Sequence, residues 1–110
     1  MQEYPLAENT LSQLSGKFPS ATAFERQALA VFKQNRIDEA LALYRQALEL
    51  DRSDIAANNG AGACLMTQYI QSNRENRALH EQAMEHWRTS VRLKGDQPRI
   101  IELLSQFQNI

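Results

Sequence analysis

Cysteine occurs once in this chain, at Cys64, so no internal disulfide can form, and a lone thiol fits a reducing compartment. Only four glycines and three prolines punctuate 110 residues, and β-branched residues never cluster. That scarcity excludes a succession of short strands and tight turns and favours helices with short connections. An excess of one charge is also missing: 12 Lys and Arg face 13 Asp and Glu, for a net charge of -1. No overall field therefore draws the protein toward nucleic acid or anionic lipid. The start, Met1-Gln2-Glu3-Tyr4-Pro5, lacks the basic opening and apolar core of a signal peptide. No apolar run approaches the ~20 residues that span a bilayer. These absences lead to the expectation of a soluble, cytoplasmic chain with no nucleic-acid or membrane partner. What remains, 43% hydrophobic and 23% charged residues, suits one globular domain with a modest core.

What is present is one spacing that occurs twice. Ala40, Tyr44, Ala47, Leu48 and Leu50 lie at offsets 0, 4, 7, 8 and 10, and Ala83, Trp87, Ser90, Val91 and Leu93 lie at the same offsets. Each set runs small, aromatic, small, aliphatic, aliphatic, and a repeat at this scale signals stacked helical units. Helical periodicity predicts segments at 6–17, 21–34, 37–50, from Ile55 to about residue 71, 77–93 and 97–108. Ser20 is placed to cap the second segment, and Asp51-Arg52-Ser53-Asp54 offers caps for the fourth. Gly95 suits a left-handed helix end, with Asp96 as a cap for the last segment.

Residues 21–54 resemble a tetratricopeptide repeat, in length (34 residues) and in register. Phe24 stands where that family has a large aromatic and Ala28 where it needs a small residue; Ala40, Tyr44, Ala47, Leu48 and Leu50 come after them in order. The small residues let two antiparallel helices approach closely, and the aromatics fill gaps between neighbouring pairs. Gln27, in place of an aliphatic residue, and Arg52, in place of a proline, depart from the pattern. Residues 55–97 resemble a second, expanded repeat, in which the second-helix set arrives nine residues late. Those nine are expected to lengthen both helices by a little over one turn each, with Tyr69, Ile70 and Leu79 packing in the extension. Asn58 and Gly60 are departures there, and Gly60 has no explanation in the sequence. The final segment, 98–110, resembles the helix that caps such arrays, and 1–20 forms an N-terminal helical segment. The resemblance thus implies an all-α, right-handed stack of antiparallel helix pairs with five or six helices.

No constellation of reactive side chains stands out. His80 and His86 are six apart, roughly 240° around a helix, and with Glu81 and Glu85 they read as solvated surface, not as a metal site. Cys64 reads as a buried structural thiol, and Gly60-Ala61-Gly62 lacks the rest of a phosphate loop. Trp87 reads as core. No enzyme, cofactor, metal or catalytic residue is expected.

The resemblance implies a non-catalytic protein-interaction scaffold. In that family the concave groove is lined by the first helices, which by position selects Thr22, Glu25, Leu29, Phe32 and Lys33, together with Ala56, Asn59, Ala63, Met66 and Thr67. Several members clamp a terminal carboxylate there. Glu25 and Leu29 stand at the corresponding positions here, and an acid and an aliphatic argue against that ligand. Leu29, Phe32, Ala63 and Met66 form an apolar strip suited to an amphipathic or extended segment of a protein or peptide partner. Self-association into a homodimer through the ends of the short stack is the alternative reading.

Overall fold

The computed structural model describes residues 20–108, within which there are five helices. They are α1 (Ala21–Phe32), α2 (Ile37–Leu50), α3 (Ile55–Gln71), α4 (Arg77–Leu93) and α5 (Pro98–Phe107). No strand occurs among the described residues. The expected helix at 6–17 lies outside them. Ser20 caps α1, its hydroxyl accepting the Ala23 N–H at 3.1 Å, and Asp54 caps α3 through the Ala57 N–H at 3.0 Å. Both satisfy donors that a helix start leaves orphaned.

The helices pack as two antiparallel hairpins, α1 with α2 and α3 with α4, and α3 lies between α2 and α4. The repeated offsets are repeated in burial. Ala40, Tyr44 and Ala47 are buried, Leu48 is half-buried and Leu50 is exposed; Ala83, Trp87 and Ser90 are buried, Val91 is half-buried and Leu93 is exposed. The two aromatics at matched positions both press on α3, and α3 receives each with a glycine. A β-carbon at Gly60 would overlap the Tyr44 ring, and one at Gly62 would overlap the Trp87 indole. Gly60 is therefore a packing residue, chosen for the absence of a side chain rather than for backbone freedom.

The nine additional residues are helical on both sides of a short turn. The helix α3 has 17 residues against 12 in α1, α4 has 17 against 14 in α2, and the turn 72–76 has one residue more than 33–36. The two turns close alike: Arg36 N–H reaches Val31 O at 3.1 Å, and Arg74 N–H reaches Tyr69 O at 3.0 Å. Each bond spans five residues and needs a left-handed residue just before it. Asn35 supplies it in the first turn (φ 65°), Asn73 in the second (φ 59°); the extra residue, Arg74, is left-handed as well (φ 62°). In the extension Tyr69 is buried and faces the His80 ring, centroids 5.2 Å apart. Ile70 does not pack there; it is exposed, because it falls on the outer side of α3.

Two departures from the repeat pattern compensate each other. Asn58 is buried, and its Nδ2 donates to Arg52 O at 3.1 Å and Asp54 O at 3.0 Å. It ties down the connection between α2 and α3 that lacks a rigidifying proline at Arg52.

The end of α4 corrects the expectation for Gly95 and Asp96. No glycine among the described residues has a positive φ. The helix ends at Lys94 in extended conformation, and Gln97, with Pro98 after it in the first turn, precedes α5. The capping role passes to the Gln97 amide. Its Nε2 reaches Ser90 O (3.0 Å), Ser90 Oγ (2.9 Å) and Lys94 O (2.8 Å), while its Oε1 accepts from Asn59 Nδ2 at 2.9 Å. One side chain thus gives the Lys94 carbonyl a donor, adds to the Lys94 N–H already on Ser90 O, and joins the end of α4 to α3. At the other end of α5, His80 Nε2 lies 2.8 Å from the Phe107 carbonyl, to which it donates. His80 is buried, which corrects its reading as solvated surface: it caps α5 beneath the chain's last described helical turn. Phe107 also meets Trp87, with ring centroids 6.2 Å apart.

Candidate functional site

The first helices α1 and α3 border an open groove of about 330 Å³, lined by Leu29 and Phe32 from α1, Ala56, Asn59, Gly60 and Ala63 from α3, and the Tyr44 ring. Five of the ten positions selected from sequence meet here: Leu29, Phe32, Ala56, Asn59 and Ala63. The walls are apolar, and Leu29 is 45% exposed, an unusual state for a leucine in an apolar concavity. The floor is the aromatic ring that Gly60 admits, so Tyr44 and Gly60 line the groove, although sequence reasoning put Tyr44 only in the packing and left Gly60 unexplained.

The other five positions fall differently. Met66 is buried core, which removes it from the groove. Its counterpart Phe32 is the last residue of α1 and stays half-buried at a rim, whereas Met66 has five more helical residues after it in a helix packed on both sides. Thr67 returns its hydroxyl to the Ala63 carbonyl at 2.8 Å. Thr22 and Lys33 are exposed and do not line the groove. Glu25 is half-buried one turn before Leu29, where it meets Asp54.

That meeting places an acidic, pH-sensitive pair between α1 and the start of α3, outside the lining of the groove. Burial, then a hydrogen bond to Asp54 and the charge of Asp54, push the Glu25 carboxyl up to about 7; Arg26 opposes them. Folding therefore raises the proton affinity of an acid. The folded chain keeps the Glu25 proton where the unfolded chain, at the ordinary value of 4.5, has lost it. The stabilisation is complete below that value and is lost as pH rises from there to about 7. Solvent screens much of it at this half-exposed position, leaving a loss of about 1 kcal/mol. Urea midpoints at about pH 5 and about pH 8 should thus differ more in the wild type than in Glu25→Gln. Equal differences would show that Glu25 and Asp54 do not share a proton.

A second, larger groove of about 870 Å³ lies between α2 and α4 and was not legible in the sequence. Arg45, Leu48 and Glu49 line it from α2, Arg52 from the connection, Asn58 from α3, and Glu85, His86 and Thr89 from α4. His86 is half-buried here rather than solvated. Its Nδ1 lies 3.0 Å from Asn58 Oδ1. Since Asn58 Nδ2 is committed to two carbonyls, its Oδ1 must accept, and Nδ1 carries the proton. Burial, then Arg45, hold His86 below its ordinary value, against the pull of Glu85. Cys64 is fully buried, and burial with the charge of Asp38 pushes its thiol up to about 12. Such a thiol stays protonated and unreactive.

Among the described residues no three His, Cys, Asp or Glu side chains gather closely enough to hold a metal ion. No described helix is long and apolar enough to cross a membrane. Residues 28–68, from the middle of α1 to near the end of α3, match the family model of the TPR repeat. No curated protein is similar enough to the chain to add to this.

Proposed function

We propose that this chain, whose residues 28–68 match a repeat that generally mediates protein–protein interactions, is a non-catalytic module that captures a segment of a partner protein between α1 and α3. The observation that carries the reading is the half-open apolar groove, in which Leu29 and Phe32 face Ala56 and Ala63 over the Tyr44 ring. A row of alanines and a glycine opposite two large side chains leaves room for a partner's apolar residues, and α1 and α3 are rigid walls for them. The acidic pair Glu25 and Asp54, one turn of α1 away from Leu29, favours a segment that is neutral or basic on that side and disfavours a terminal carboxylate. The proposal reads 21–54 as one repeat, 55–97 as the expanded second and 98–110 as the cap.

Leu29→Glu tests it. A carboxylate placed in the groove loses hydration on binding and gains no partner, so capture of the partner should fall about tenfold or more. Leu29 is exposed in the free chain, so helicity and thermal midpoint should stay near wild type. Undiminished capture by this variant would refute the groove as the binding site.

A further inference from the structure

The larger groove between α2 and α4 has a chemistry unlike the first. Arg45 and Arg52 stand on one wall, exposed, and neither has an ion-pair partner among the described residues. On the opposite wall Glu85 is already held by two cations: Arg92 Nη2 at 3.2 Å and Arg88 Nη1 at 3.3 Å. Those contacts, Arg92 first, lower the pKa of its carboxyl from the ordinary value. The groove and its rim thus carry four guanidiniums against two carboxylates, Glu49 and Glu85, in a chain whose net charge is -1. Between the charged walls lie the half-buried Leu48 and the His86 ring, which is fixed by Asn58.

We propose that this groove binds an acidic segment of a protein, with carboxylates on Arg45 and Arg52 and an aliphatic side chain on Leu48. The charge excess selects the sign of the occupant, and the two unpaired guanidiniums supply the fork-shaped donors that a carboxylate accepts. Leu48 selects a peptide over a bare polyanion, because an apolar floor gives nothing to phosphate. The site lies on the second helices, apart from the α1–α3 groove, so it stands whether or not that groove binds a partner. Glu49, between the two arginines in sequence, is the one uncompensated like charge an acidic occupant meets, and it limits affinity.

The probe is the blocked hexapeptide Glu-Glu-Leu-Glu-Glu-Leu, titrated into the full ¹⁵N-labelled chain. Amide shifts should concentrate at Arg45, Leu48, Arg52, His86 and Thr89. Affinity should fall with added salt. Arg45→Gln with Arg52→Gln should weaken binding about tenfold without loss of helicity, since both side chains are exposed. Glu49→Gln should tighten it severalfold. A carboxylate seated by Arg45 adds negative charge near His86, whose charged neighbours are Arg45 across the groove and Glu85 on its own helix; the His86 titration should move to higher pH on binding. The proposal is overturned if the double arginine variant binds as the wild type does, or if the shifts fall elsewhere. It is equally overturned if inorganic phosphate or a single-stranded RNA oligonucleotide displaces the peptide at comparable or lower concentration.

Discussion

Trp87→Ala is expected to destabilise the protein by about 3–5 kcal/mol, as aromatic-to-alanine changes in a close-packed core do. Trp87 is 2% exposed, lies on Gly62 of α3, and meets Phe107 of α5. Its Nε1 donates to the Asn59 carbonyl at 3.3 Å. Truncation would therefore open a cavity where α3, α4 and α5 converge and remove the indole's hydrogen bond to α3. For a domain whose whole stability is of the order of 5–15 kcal/mol, that loss is a large share. Trp87 is the only tryptophan, so the variant is monitored by far-ultraviolet circular dichroism in urea instead of by fluorescence. A loss below about 1 kcal/mol would mean that the indole is peripheral.

Gly62→Ala and Gly60→Ala should each destabilise by about 1–3 kcal/mol through overpacking. The sign is the informative part. An alanine inside a helix ordinarily stabilises by about 1 kcal/mol relative to glycine. Here the added methyl would overlap the Trp87 indole at Gly62 and the Tyr44 ring at Gly60, both of them buried and unable to move freely. The sign should reverse once the ring is gone: in the Trp87→Ala background Gly62→Ala becomes neutral or stabilising, and in Tyr44→Ala so does Gly60→Ala. Such a reversal is a coupling that a double-mutant cycle measures directly. Stabilisation of the wild type by either alanine would show that the ring-on-glycine contact is not tight.

These contacts mark where the sequence was legible and where it was not. The offsets shared by the sets beginning at Ala40 and Ala83 carry through to burial position by position, because helical periodicity and burial report the same face. The turn at 72–76 and the helices beside it were legible as polar residues between two apolar stripes. Gly60 stayed unexplained because its reason is a ring on another helix, 16 residues earlier in the chain. His80 looked solvated because its partner is a backbone carbonyl at Phe107, and backbone acceptors leave no trace in residue identity. Gly95 looked like a helix end on composition, while the end of α4 is tied down by Gln97, a residue with no characteristic capping signature.

The candidate groove was half legible. Leu29, Phe32, Ala56, Asn59 and Ala63 came together because the register of α1 and α3 was right. Met66 was misplaced because an apolar residue on a helix face carries no mark of whether a neighbour covers it; the length of α3 beyond it decides that. The groove between α2 and α4 was invisible for a related reason. Arg45, Arg52 and His86 belong to different elements, and only the packing of α2 and α4 on α3 brings them to one cleft.

Photo-crosslinking from single sites tests the central claim, capture of a protein segment between α1 and α3, most directly. A photoreactive residue replaces Leu29 or Ala63 in the groove, or the exposed Ala42 on the outer face of α2 as control. The account predicts heteromeric adducts from Leu29 and Ala63 that map to one partner segment, and none from Ala42. Adducts from Ala42 alone, or adducts at Leu29 that join only two copies of this chain, would contradict it.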